Sequence, residues 1–267
     1  MRIDWFHLRK TFDSYDPSRR SLDDSSHQGL LDFSASIRNG ITVILGPKGA
    51  GKTTLLRLTA MLSVPDDGRI IYQLEEQKSY VWSKGNVIAD SSSLVELKEK
   101  VSYVPVRVSW EQDMTVENAF LYQAQLKRVI HPRKKSAEMV AKWGLAGFRR
   151  SLVSELSRGV FKRFLLAHSL LANPTIWILD EPTEGLDELG KKLLWRELRS
   201  NPENRITLIA TEKDMQLAEA ADDLVLMEAG VCRRIGKKKY LAASVPEGTV
   251  AAWYQAMQAF SNLRHFK

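Results

Sequence analysis

Gly46-Pro47-Lys48-Gly49-Ala50-Gly51-Lys52-Thr53 has the residue types and spacing needed to hold a chain of phosphates. It satisfies G-x-x-x-x-G-K-[ST] and stands between an apolar run, Ile41 to Leu45, and a helix-forming segment. Gly46, Gly49 and Gly51 permit tight turns that aim successive backbone N–H groups inward, at the positive end of the following helix. Lys52 is placed to neutralise β- and γ-phosphates, Thr53 to offer its hydroxyl to Mg²⁺, and Thr54 to contact the α-phosphate side. The bland alternative is a glycine-rich strand-to-helix turn, which explains neither the lysine nor the threonine.

A second constellation follows the apolar run Ile176-Trp177-Ile178-Leu179 and consists of Asp180 and Glu181. Carboxylates at the C-terminal end of a buried strand lie where open α/β sheets bind ligands. Asp180 suits the coordination shell of Mg²⁺, and Glu181 suits a general base that polarises an attacking water. Alone, the pair reads equally as a strand end and a solvated turn; beside a phosphate loop it gains a role.

The elements that must position these groups are legible as runs. Ile41–Leu45, Ile70–Tyr72, Val101–Val104, Thr175–Leu179, Ile206–Ala210 and Leu224–Met227 read as strands, several of them apolar on both faces. That pattern predicts a buried parallel sheet with helical crossovers, a doubly wound α/β core. From Met114 to Leu171 the pattern turns helical, with breaks at His131-Pro132 and Gly144, which predicts a helical insert. Two polar stretches, Asp13–Gln28 and Glu75–Ser93, read as loops or hairpins decorating the sheet.

Composition sets outer bounds. The 267 residues are 44% hydrophobic and 27% charged, which excludes disorder and collagen-like repeats and gives material for a sizeable core. A formal charge of +7 favours anionic partners. The single cysteine, Cys232, excludes an internal disulfide, so no disulfide partner is expected. The N-terminus has no signal-like apolar core, and the most apolar stretch, Phe164 to Leu179, is broken by polar residues before membrane-spanning length. The expected location is cytoplasmic and peripheral on the inner face of the membrane.

Taken together, these motifs resemble those of the ATP-binding cassette (ABC) family, the nucleotide-binding subunits of membrane transporters. The resemblance covers roughly residues 1–240. Besides the phosphate loop and Asp180-Glu181, Leu156-Ser157-Arg158-Gly159-Val160 stands where the family carries its Leu-Ser-Gly-Gly-Gln signature. Pro182-Thr183-Glu184-Gly185-Leu186-Asp187 is similar to its dimer loop, and Phe12 aligns with its adenine-stacking aromatic, though an ordinary edge-strand Phe reads the same way.

The resemblance implies a P-loop NTPase fold of ABC type: a mainly parallel core (1–107 and 173–245), an antiparallel β subdomain, a helical signature subdomain (108–172) and a C-terminal helix (246–267). It implies ATP and Mg²⁺ as ligands, with Gly46 to Thr54, Phe12, Ser157 and Gly159 on the nucleotide, Thr53 and Asp180 on the metal, and Lys52 and Glu181 in catalysis. It also implies a second cassette and transmembrane permease subunits as partners. Ser157 is expected to cap the helix that follows it and to face the partner cassette's γ-phosphate. A single cassette of this length resembles exporter-type subunits.

Three departures from the family pattern concern the γ-phosphate or the attacking water. Val106 stands where a Gln is expected, Glu212 where a switch His is expected, and Arg158 and Val160 replace a Gly and the Gln of the signature. Arg158 either lends charge to a partner's phosphate or obstructs close approach. These changes predict an ATPase with a weakened catalytic site; the alternative is a degenerate regulatory switch or a non-transport member of the family.

Several features keep two readings. Trp110, Met114 and Phe120 are either a docking groove for permease helices or the insert's own core. Trp253, Met257 and Phe260 form an apolar stripe suited to packing on the domain or to a dimer contact. The basic clusters Lys127 to Lys135, Arg149-Arg150 and Arg233 to Lys239 lack a nucleic-acid motif, so no nucleic acid is expected; they read as solvated faces or as attraction to an anionic leaflet. The scattered histidines predict no zinc site, and His168 reads as structural.

Overall fold

The computed structural model describes residues 1–12, 28–75, 78–85, 91–108, 110 and 113–264. In chain order they form β1 (Arg2–Thr11), β2 (Gln28–Arg38), β3 (Gly40–Leu45), α1 (Lys52–Thr59), β4 (Asp67–Gln73), β5 (Ser79–Ser83), α2 (Ser91–Lys100) and β6 (Val101–Val104). There follow α3 (Val116–Leu126), α4 (Pro132–Lys142), α5 (Arg158–Leu170), β7 (Ile176–Asp180), α6 (Glu188–Arg199), β8 (Ile206–Thr211), α7 (Met215–Glu219), β9 (Asp223–Glu228), β10 (Val231–Lys237), α8 (Lys238–Ala242) and α9 (Val250–Arg264). The described strands join one sheet in the order β5-β4-β1-β2-β10-β9-β3-β8-β7-β6.

Five strands, β9, β3, β8, β7 and β6, pair in parallel. Alternate residues of these strands enter different cores. Ile41, Val43, Leu45, Trp177, Leu179 and Ile209 pack with α3, α4, α5, α6 and α9. Ile44, Ile176, Ile178, Ile206 and Leu208 pack with α1 and the antiparallel strands. A strand buried on both faces has no use for a polar alternation, which is why these segments are continuous apolar runs.

Apart from a parallel bridge between β2 and β10, the other wing is antiparallel, and it corrects one expectation. Ile70–Tyr72, grouped in the sequence with the parallel strands, lies in β4, antiparallel to both β1 and β5. Its burial alternates: Ile70 and Tyr72 are buried, Ile71 is only partly so. The apolar-run reading also passed over β1, β2, β5 and β10, because strands with one wet face interrupt the apolar run with polar or charged residues. Of the polar stretches, Ser79–Ser83 completes a hairpin with β4 and Ser91–Lys100 is helical, whereas 13–27 lie outside the described residues.

The helical insert is built by local signals. Thr115 caps α3 by accepting from the Asn118 amide (3.3 Å), Pro132 opens α4 behind a left-handed His131, and Gly144 ends that segment with φ +64°. Its interior is aromatic: Trp110 meets Phe164 edge-on at 5.1 Å, and Phe120 meets Phe164 at 5.5 Å. Phe120 is fully buried, with Trp110 and Met114 packed on the same core, so these residues are the insert's core rather than an open docking groove. On α9, Trp253 is buried in the domain and Met257 packs on it, while Phe260 is exposed.

His168 joins this aromatic cluster, its ring 5.7 Å from that of Trp110 and 5.3 Å from that of Phe164. Burial pushes its pKa down to about 4. A depressed histidine stabilises the fold above its unfolded pKa, near 6.5, and that contribution is lost as pH falls through the folded value. Denaturant unfolding followed from pH 7 to about 4 should therefore show a loss of about 2–3 kcal/mol that is absent in His168→Phe.

Candidate functional site

The parallel register brings three strand ends to one edge of the sheet. Leu45 pairs with Thr211, and Asp180 with Ala210, so the phosphate loop after β3, the acidic pair after β7 and the turn after β8 converge. A cleft of about 750 Å³ opens there, lined by Lys48 to Thr54, by Asp180 and Glu181, and by Phe12, Val106, Glu184 and Glu212.

The loop from Gly46 folds as its glycines suggest at the decisive position. Gly51 caps α1 with φ +93°, and a Cβ there would sit 2.2 Å from the Gly29 carbonyl oxygen, so only glycine lets the loop turn against β2. Lys52 begins α1 nearly buried, at 7% exposure, and its Nζ donates to the carbonyls of Gly46 and of Pro47 (2.9 Å). Desolvation lowers its pKa, opposed by Glu181, Glu212 and Asp180. Lys48, Gly49, Ala50, Thr53 and Thr54 line the cleft, as does the exposed Phe12.

Asp180 is buried and accepts hydrogen bonds from the Tyr103 hydroxyl (3.3 Å) and from Thr53. Burial raises its pKa, the Thr53 and Tyr103 bonds opposing it. A desolvated carboxylate beside a threonine hydroxyl is a hard oxygen set of the kind Mg²⁺ takes, so the residues present fit that ion.

Glu181 departs from ordinary backbone, with φ +42°. Its amide donates to the Ala210 carbonyl (2.9 Å), and both of its carboxylate oxygens are engaged: Oε2 accepts from the Thr211 hydroxyl (2.9 Å), Oε1 from the Glu212 amide (2.7 Å). Left-handed backbone costs a non-glycine residue roughly 1 kcal/mol, which this clasp offsets. Desolvation raises the Glu181 pKa against those hydrogen bonds.

Sequence reading did not assign roles to Tyr103, which stood in the run Val101–Val104, or to Thr211, which the structure adds to the end of the run Ile206–Ala210; a hydroxyl at or just past a strand's C-terminal end was the available signal. Val106 and Glu212 line the cleft, so the two departures sit where they matter. Among the described residues Glu212 forms no ion pair. Ser157 and Gly159 do not line this cleft. Ser157 occupies the N-cap position of α5, but its side chain makes no capping bond, correcting the expected cap. Gly159 is needed for packing: a Cβ there would meet the Asp187 Cβ at 2.8 Å.

Comparison with known proteins agrees with this geometry. A sequence profile described as ABC transporter matches residues 30–184. The chain is 32% identical over 192 residues to Nod factor export ATP-binding protein I of Rhizobium etli, covering 70% of this chain and 56% of that protein. It is 30% identical over 218 residues to a sulfate/thiosulfate import ATP-binding protein of Thermosynechococcus vestitus, covering 79% and 60% respectively. The chain thus spans less than two thirds of the length of either relative. Among solved structures, an ATP-binding subunit of an ABC transporter superposes with TM-score 0.76 at 17% identity, over 97% of this chain and all of that one. A bacterial Atm1-family ABC exporter with ATP bound gives 0.71 at 19% identity, over 96% of this chain and 42% of that one.

The raised pKa of Asp180 means that ionising it costs the empty fold stability. The cost is present at pH 7 and fades as pH falls through the folded pKa, where the wild-type carboxyl is neutral too. Asp180→Asn should therefore stabilise the nucleotide-free protein at pH 7, with the gain shrinking as pH falls through the raised pKa of Asp180, as read by thermal unfolding at successive pH values.

Proposed function

This chain belongs to the ABC transporter family, and from that premise we propose that it is an ATP-binding subunit whose cleft takes ATP with Mg²⁺ and turns it over slowly. One observation carries the reading: a complete phosphate loop and Asp180 share a cleft with a Glu181 already clasped through both oxygens. In this proposal the backbone of residues 48–54 and Lys52 hold the phosphates, Phe12 stacks on the base, and Thr53 and Asp180 hold the metal. Mg²⁺ supplies charge neutralisation on the phosphates when bound. Glu181 accepts the proton of the attacking water only after its carboxylate leaves the Thr211 hydroxyl and the Glu212 amide.

Slow turnover follows from the far end of the cleft. Val106 has no side-chain donor or acceptor to orient water, and the Glu212 carboxylate repels the γ-phosphate where a cation or donor would attract it. The binding half is unaffected. Ser157 and Gly159, placed outside this chain's own cleft, suit contact with nucleotide on a second cassette, which makes a dimer part of the proposal. No described helix is long and apolar enough to cross a membrane; in this proposal the cassette works with membrane-spanning permease partners. The similarity to an export protein at 32% identity supports export, with import proteins nearly as similar and cargo set by the permease.

The same clasp supports a second reading, an ATP-driven regulatory switch that closes without hydrolysis. Measurements on the purified chain separate the two. Lys52→Ala should abolish ATP binding. The wild type should hydrolyse slowly, Glu181→Gln should reduce that rate at least ~100-fold, and Glu212→His should raise it. Brisk wild-type turnover overturns the weakened-site proposal; ATP-dependent dimerisation with no turnover selects the switch.

A further inference from the structure

The cleft wall is acidic for a site that takes a polyanion: Asp180, Glu181, Glu184, Glu212 and Asp214 all line it. Most of these charges are engaged. Glu181 is clasped as described, Asp180 faces the metal position, and Asp214 accepts from the Thr183 hydroxyl (2.7 Å) and the Leu217 amide (2.8 Å). Glu184 is balanced from outside the cleft. Its Oε1 lies 3.1 Å from Arg158 Nη2, at the start of α5, and 3.9 Å from Arg107 Nη2.

Two observations show that the Arg158 contact is specific. A cation in the first turn of a helix opposes the helix dipole, so an arginine at the first residue of α5 is electrostatically misplaced unless a carboxylate offsets it. Its guanidinium also lies over a bare glycine: a Cβ on Gly185 would come within 2.3 Å of Arg158 Nε. The side chain is thus laid along the loop after β7 and turned back toward its own chain.

We propose that Arg158 is a positioning residue of the nucleotide cleft, holding Glu184 in a neutralised pair and so setting the cleft's affinity for ATP. The proposal rests on the reading of the cleft as an ATP site. It assigns the signature departure a role inside one chain, neither obstruction nor contact with a partner's phosphate. Residues 158 and 184 then form one electrostatic unit, so changing either alone shifts affinity, and in opposite directions.

MgATP titration of the full chain by calorimetry tests this. Arg158→Gln keeps a polar side chain with the same stem as far as Cδ and removes the charge; it should weaken binding about fivefold at low salt, falling below about twofold near 0.5 M salt. Arg158→Lys should stay within about twofold of wild type, Glu184→Gln should bind about twofold to fivefold more tightly, and the double variant Arg158→Gln/Glu184→Gln should return to within about twofold. Unchanged affinity in Arg158→Gln overturns the proposal, as does a double variant as weak as the single, which would mean that Arg158 meets nucleotide directly. Lys52→Ala separates the failures: if it binds ATP normally, the cleft reading itself falls; if it loses binding while Arg158→Gln does not, only the present inference falls.

Discussion

The in-register parallel pairing of β3, β8 and β7 is the constraint on which the rest of the molecule depends. Because Leu45 faces Thr211 and Asp180 faces Ala210, a phosphate loop, a metal-type carboxylate and a clasped glutamate end within reach of one another. A shift of one residue in either pairing would exchange the inward and outward sets of a strand buried on both sides, moving Trp177 and Leu179 into the space of Ile176 and Ile178. The two cores therefore fix the register, and the register fixes the chemistry. The price appears at the edge itself, where Lys52, Asp180 and Glu181 are all charged groups held partly out of water.

What was legible in the sequence was whatever is encoded locally. The phosphate loop is one continuous segment whose glycines, lysine and threonine have a single geometric purpose. The parallel strands announce themselves as unbroken apolar runs, and the insert's breaks at His131-Pro132 and Gly144 lie where backbone chemistry demands them. The antiparallel wing was harder, because β1 and β5 are half wet: charges in β1 dilute the apolar signal, and β5 is a five-residue strand with a serine at each end. Non-local contacts were not legible at all. Nothing near Glu181 in sequence indicates that Thr211 and the Glu212 amide will hold it, and nothing near Ser157 shows that its hydroxyl leaves the helix uncapped.

The helical insert is tied to the cleft by cations on one helix. On α5, the buried Lys162 donates to the Pro105 carbonyl (2.9 Å) just before Val106. Arg163, also buried, donates to the Gly144 carbonyl (2.9 Å) and pairs with Asp187 (3.0 Å) in the loop after β7. Desolvation lowers the Lys162 pKa to about 8, with nearby Asp180 and Glu184 opposing the drop. One turn of α5 thus contacts the loops that follow both β6 and β7. Buried hydrogen-bonded cations resist being left unpaired, so these bonds tie the insert to both loops.

In the proposed reading, binding and turnover occupy different parts of the chain, so one can be kept while the other is altered. The phosphate-holding part comes from a single local unit, β3 with its loop and α1, whose residues depend on their neighbours: Gly51 cannot accept a side chain, and Lys52 is packed against its own loop carbonyls. The turnover half is assembled from the ends of β6, β7 and β8, with Val106, Glu181 and Glu212 contributed by separate segments. A substitution at the end of one strand changes one wall of the cleft without disturbing the loop that grips phosphate. Val106 and Glu212 are both of that kind. The Glu181 clasp adds a further independence, since it uses the Glu212 amide and not its side chain, so the glutamate keeps the same anchor whatever residue occupies position 212.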